Sequence, residues 1–140
     1  MTSRNLENLV RIGKLKKEAV SQSEFDGLVR SARVRLSDAR SVKLSLDSRF
    51  DLAYNASHAI ALAALRWHGY RSDNRYLVFQ CLEETLGLPP EQWRVLALCH
   101  DRRNVAEYEG HLEVEDRLVS DLIRVAELAL GKVSALGPLA

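Results

Sequence analysis

Cysteine is scarce in this chain: Cys81 and Cys99 are the only two among 140 residues. Two cysteines are too few for a disulfide framework, and without a C-x-x-C pair there is no zinc-site spacing. Both lie among apolar residues in helix-like stretches, so they read as small, reduced core residues. Proline is equally sparse, at Pro89, Pro90 and Pro138, and most of the seven glycines fall where a helix should start or stop. No alternation of apolar and polar residues is long enough to mark a strand. The longest uncharged run, Leu52 to Leu65, is shorter than the roughly 20 residues that span a bilayer. Met1 to Arg11 contain no apolar leader segment, so the expectation is a soluble cytoplasmic protein without membrane partners. An excess of one charge is also missing. Twenty Lys+Arg oppose nineteen Asp+Glu, a formal net charge of +1. That argues against attachment to nucleic acid by bulk charge alone and leaves room for a local basic cleft.

What remains is helix. Hydrophobic residues at 46% and charged residues at 28% describe an ordinary globular chain, and 140 residues fit one domain, 1–140. The expected fold is all-α, an antiparallel bundle of five to six helices with its core between about residues 21 and 130. A short first helix is expected over 3–17, with Leu6, Leu9, Val10 and Leu15 on one side. Ser21-Gln-Ser-Glu24 resembles a capping box opening a second helix to about Val42, with Phe25, Leu28, Val29, Ala32 and Leu36 facing inward. A third helix is expected from an Asp47 N-cap to about Leu65. It is alanine-rich and apolar on nearly all sides, which places it at the bundle centre. His68 to Asn74 reads as an exposed turn, followed by a helix over about 74–86. Gly87-Leu-Pro-Pro90 then punctuates the chain, and a fifth helix runs from Pro90 to Glu109, closed by Gly110. The last helix is expected over about 113–130, carrying Leu118, Leu122, Val125, Ala129 and Val133. Gly131 is a possible interruption, and the tail 137–140 is expected to fray.

The informative segment is Cys99-His-Asp-Arg-Arg-Asn-Val-Ala-Glu-Tyr-Glu-Gly110. At about 100° per residue, Leu96, His100, Arg103 and Glu107 form one stripe, with Asn104 beside it and Leu98 and Val105 opposite. Apolar residues on both sides imply packing on more than one face. The plain structural reading is an Arg103–Glu107 helix salt bridge at i, i+4, worth a few tenths of a kcal/mol. It is joined by a partly buried His100 bonded to a carbonyl and by Tyr108 as a core aromatic.

The same run resembles the motif helix of the HEPN superfamily of small helical domains. Those domains often carry Arg, then a polar residue that is frequently Asn, then His or Tyr four to six residues beyond the Arg. Here the matching residues are Arg103, Asn104 and Tyr108. Phe50 to Leu65 followed by His68-Gly-Tyr70 is similar to the family's central alanine-rich helix and turn, and the likeness covers about Ser21 to Leu130. The resemblance implies a bundle that dimerises and whose motif residues meet in one cleft. Active members are metal-independent ribonucleases, often toxins paired with a nucleotidyltransferase-like antitoxin or attached to defence systems. Others are binding or assembly modules. No cofactor is implied.

RNA cleavage without metal needs a cation on the phosphoryl oxygens and a group that moves a proton. Arg103 suits the first role, because guanidinium grips phosphate in a bidentate manner and stays charged. Arg102 and Asn104 are further candidates for nucleic-acid contact. The proton role normally belongs to histidine. Tyr108 stands where histidine is expected, and a phenol with a pKa of about 10 is a poor base at neutral pH. His100, one turn before Arg103, is the substitute. Catalysis would thus rest on Arg103, Tyr108 and His100. The leading expectation is a dimeric, RNA- or nucleotide-associated binding or assembly module. A metal-independent ribonuclease is the alternative, and an unrelated protein-interaction bundle the second alternative. His58 reads as a satisfied core histidine, and Trp67 and Trp93 as packing anchors rather than base-stacking platforms.

Overall fold

The computed structural model describes residues 4–138. Arg4–Arg11 form α1, Gln22–Ala39 α2, Leu46–Trp67 α3, Arg75–Gln80 α4, Leu82–Thr85 the single-turn α5, Pro90–Glu109 α6 and Asp116–Ser134 α7. Lys16–Lys17 (β1) and Tyr70–Arg71 (β2) pair antiparallel, with Lys16 opposite Arg71 and Lys17 opposite Tyr70. The expected all-α bundle is therefore present, with a two-residue ribbon added.

The alanine-rich α3 occupies the centre. Twelve of its residues are buried, among them Phe50, Tyr54, Ile60 and Leu65. It packs most extensively on α2 and α7, and also meets β2, α4, α5 and α6. Its buried alanines leave little side-chain volume between helix axes, so neighbours approach on several sides. α2 contributes Phe25, Val29, Ala32 and Leu36, and α7 contributes Leu122, Val125, Ala129 and Val133, all buried. Cys81 and Cys99 are free, buried thiols, pushed up to about 12 by burial, which matches the core role expected of them. No helix among the described residues is long and apolar enough to cross a membrane.

Several boundaries differ from expectation for identifiable reasons. The first helix stops at Arg11, not 17, because Gly13 takes φ +79°. The amides of Gly13 and Lys14 turn back to the carbonyls of Val10 and Leu9. Ser3, the expected start, lies outside the described residues, as does the end of the tail, 139–140. α2 ends at Ala39, and Ser45 rather than Asp47 caps α3, its hydroxyl accepting from the Ser48 amide at 3.1 Å. Asp47 sits in the first turn, where its charge suits the helix dipole. The expected helix over 74–86 divides at Cys81 into α4 and α5. Gly131 continues α7 through to Ser134, and α7 starts at Asp116 rather than 113. Two-residue strands are too short for any alternation, so β1 and β2 left no sequence signal. α6 and its left-handed Gly110 cap (φ +78°) lie where the sequence placed them.

Ser21 caps α2 as expected, accepting from the Glu24 amide at 3.3 Å. The Glu24 carboxylate binds Arg66 instead of completing the capping box. Arg66 is 4% exposed; its Nε donates to Glu24 at 2.8 Å and its Nη2 to the Ala19 carbonyl at 2.7 Å. Arg66 Nη1 lies 3.4 Å from Glu18, and Arg71 pairs with both Glu18 and Glu24. This network ties the end of α3 to the start of α2 and to the ribbon. The Arg66 hydrogen bond holds the Glu24 carboxyl below its ordinary 4.5. A depressed carboxyl contributes its full stability above the unfolded value, and that contribution disappears as pH falls through the lower folded value. The melting temperature is expected to fall as pH drops below about 4.5, and more shallowly in Glu24→Gln. Thermal unfolding from neutral to acid pH checks this; equal slopes for both proteins would refute the assignment.

Candidate functional site

Leu96, His100, Arg103 and Glu107 share one face of α6, as the helical wheel requires. The structure shows that this face climbs from the core to the surface. Leu96 is fully buried, His100, Arg103 and Asn104 are half-buried, and Glu107 is exposed. The face packs beside the middle of α3, where Tyr54 is fully buried. Phe50 stacks on Tyr54 with ring centroids 6.2 Å apart, and Phe79 meets it edge-on at 5.8 Å. These rings fix the phenol in place, and its hydroxyl reaches out of the core towards α6.

A hydrogen-bonded chain results. Tyr54 Oη lies 2.9 Å from His100 Nδ1, and Asn104 Nδ2 lies 3.2 Å from His100 Nε2. Arg75, at the first position of α4, donates from Nη1 to Tyr54 Oη over 3.4 Å. Its Cζ is 5.7 Å from the Tyr54 ring centroid, and Arg103 Cζ is 5.3 Å from the same centroid. Two guanidinium groups therefore sit within cation–π range of one buried phenol. Arg103 also pairs with Glu107 at 3.0 Å, the i, i+4 bridge of the plain reading. It helps line a cavity of about 250 Å³ shared with Asp47, Asp51 and Glu107, so an incoming anion has to compete with carboxylates there.

The electrostatics keep the imidazoles neutral. Burial pushes His100 below its ordinary 6.5; Arg75 and Arg103 act in the same direction, against Asp101 and Glu107. The Asn104 Nδ2 amine can only donate, so His100 Nε2 accepts from it and Nδ1 carries the proton, donating to Tyr54 Oη; both His100 nitrogens are thereby occupied. His58, one turn along α3 from Tyr54, is lowered to about 4, chiefly by burial and then by Arg75, His100 and Arg103. It meets Phe79 edge-on and lines a cavity of about 430 Å³ with Arg75, Arg71 and Ser72, so it is a cavity wall and not the satisfied core histidine expected.

Three of the expected site residues, His100, Arg103 and Asn104, are thus brought together. Two are not. Tyr108 is 92% exposed and belongs neither to the core nor to the cluster, because it projects about 140° around α6 from Arg103. Arg102 is exposed on another side, its Nη1 donating to the Glu113 carbonyl at 3.3 Å. Leu98 and Val105, expected to pack, are 43% and 49% exposed, so α6 packs on one side only. His68, expected to be exposed, is half-buried against Trp67, its Nε2 3.1 Å from the Thr85 carbonyl. Trp67 and Trp93 are packing anchors, with indole N–H groups donating to the Gly137 carbonyl and to Glu83. Tyr54, His58 and Arg75 are cluster residues that sequence reading missed. A signal existed: Tyr54 and His58 are the two aromatic polar groups, at i and i+4, in an otherwise small and aliphatic stretch.

No protein-family model matches the sequence, and no curated protein matches it. Function therefore has to be argued from the cluster itself.

The two histidines provide the check on this geometry. In an NMR titration His58 is expected to titrate near pH 4 and His100 below 6.5, with His100 moving part of the way towards its ordinary value in Arg75→Gln and Arg103→Gln, which remove the cations that lower it. Titration of both near 6.5 in the wild type would contradict the described burial.

Proposed function

We propose that the protein is a HEPN-like, dimeric module that binds RNA or a nucleotide at the Tyr54–His100–Asn104 chain, with Arg103 as the phosphate-facing group. The observation that carries this reading is the joint placement of Arg103, Asn104 and His100 beside Tyr54 on one half-buried face. A half-buried guanidinium stacked on an aromatic ring is held in place, and a fixed guanidinium loses less freedom on gripping phosphate.

Binding is favoured over cleavage by the state of His100. Both of its ring nitrogens are engaged, so the imidazole has no free nitrogen for a 2′-hydroxyl proton in this arrangement. Tyr108 does not supply the function from within the same chain, being exposed on a different face. The ribonuclease reading would require His100 to release Asn104 or Tyr54 when RNA binds.

Dimerisation is supported by the outer face of α6. Leu98, Val105 and Tyr108 are exposed apolar groups on that face, and its charges are self-complementary in an antiparallel register. A two-fold axis between residues 101 and 102 sets Leu98 against Val105, Asp101 against Arg102 and Arg94 against Glu109 of a second copy.

Two measurements test the proposal. With chelator present, the wild type is expected to bind labelled RNA without cutting it, and Arg103→Ala to weaken binding about tenfold or more, the loss expected of one charge-assisted contact. Glu107→Gln is expected to tighten binding by freeing Arg103. Cleavage by the wild type that Arg103→Ala abolishes would establish the ribonuclease reading, and no RNA binding would refute both. Light scattering is expected to give twice the chain mass of 15.8 kDa, reverting to one chain in Leu98→Glu/Val105→Glu. A wild-type mass of one chain at micromolar concentration would refute the dimer.

A further inference from the structure

A second set of cations lies beside the cluster, and no reading of the motif helix includes it. The β1–β2 register sets Lys16 against Arg71. The turn that follows, Ser72-Asp73-Asn74, separates two cavities that share Arg71, Ser72 and Asp73. One, of about 260 Å³, has Lys14 and Lys16 in its wall. The other, of about 430 Å³, has Arg66, Arg75 and His58 in its wall. Arg75 then contacts Tyr54, whose ring lies under Arg103. The cations therefore form an unbroken series, from Lys14 and Lys16 through Arg71 and Arg75 to the cluster.

The charges along this series are unevenly matched. Arg66 and Arg71 are paired by Glu18 and Glu24. Among the described residues, Lys14, Lys16 and Arg75 have no carboxylate in ion-pair range, and the remaining carboxylate of the two walls is Asp73. Three unmatched cations against one carboxylate make a locally basic groove in a chain whose net charge is only +1. His58, held neutral by burial, adds no charge, and neither Ser72 nor Asn74 does.

We propose that this groove carries the phosphodiester backbone of a single RNA strand to the Tyr54–Arg103 cluster, with Lys14, Lys16 and Arg75 as successive phosphate contacts. The proposal rests on reading the cluster as a nucleic-acid-facing site. Spaced cations along concave walls suit a strand whose charges repeat along its length, and they bind it regardless of base sequence. Two cavities in series also suit a bent strand crossing the turn better than a flat anionic surface, which would meet a convex or planar patch.

The test uses fluorescence anisotropy with a labelled single-stranded RNA of about 12 nucleotides, within the usual ~4–16-nucleotide site size of single-strand binders. Affinity is followed between about 50 and 200 mM salt. Lys14 and Lys16 are exposed, so Lys14→Gln/Lys16→Gln is expected to keep the fold, with circular dichroism as the check. This variant is expected to bind about tenfold or more weakly at the low-salt end. Its slope of log affinity against log salt should be shallower by about 1.4, two contacts at roughly 0.7 each. Arg75→Gln is expected to repeat the loss with about half that change of slope. If RNA binds and Arg103→Ala weakens it while the groove variants leave affinity and slope unchanged, the groove is overturned and the cluster reading stands. If the groove variants weaken binding and Arg103→Ala does not, the cluster reading falls and the groove stands. A wild type that binds no RNA overturns both.

Discussion

Much of this molecule's surface geometry depends on one buried guanidinium. Arg66, near the end of the central helix, is almost fully enclosed and gathers Glu18, Glu24 and the Ala19 and Tyr70 carbonyls around it. A charge so enclosed is costly unless all its donors are matched, and matching them draws the start of α2 and both arms of the ribbon onto α3. That fixes the 71–74 turn, and the turn fixes where α4 begins. Arg75 is the first residue of α4, so its position over Tyr54 follows from an ion-pair network on the far side of the turn. Glu24, whose sequence position suggests a capping box, is claimed by this stronger partner.

The second organising element is the phenol of Tyr54. It is buried among Phe50 and Phe79, yet its hydroxyl meets His100 on α6 and Arg75 on α4. One side chain thereby connects α3, α4 and α6. With Tyr54 on one ring nitrogen and Asn104 on the other, His100 is a neutral spacer held in register. Arg103, stacked on the Tyr54 ring, is a half-buried cation paired with the exposed Glu107. The cluster has the character of a prepared cation on a rigid floor more than that of a proton-transfer site.

The balance of charge looks different at the two scales. Over the whole chain the signs nearly cancel, which argues against bulk attraction to nucleic acid. Locally, carboxylates crowd Arg103 while Lys14, Lys16 and Arg75 have none within ion-pair range among the described residues. Such separation arises because residues distant in the chain share a wall: Lys16 and Arg71 are neighbours only through the β1–β2 pairing. No window of sequence contains both.

Local physics made the helices legible. The α3 stretch, apolar on all sides, could be stable only at the centre of a bundle, and Ser21, Pro90 and Gly110 mark their helix ends through side-chain and backbone preferences that act within one turn. The i, i+3, i+4 relation of His100, Arg103 and Asn104 is likewise a property of the helix alone. Tertiary packing decided what local rules cannot encode. Ser45 displaced Asp47 as a cap, Gly13 and the ribbon cut short the first helix, and Tyr108 and Arg102 were turned away from the cluster because α6 is covered on one side only. Sequence spacing places side chains around a helix axis, but which of those directions meets another helix is set by how the whole core closes. For the same reason Tyr54, His58 and Arg75 joined His100 and Arg103 only in the folded chain.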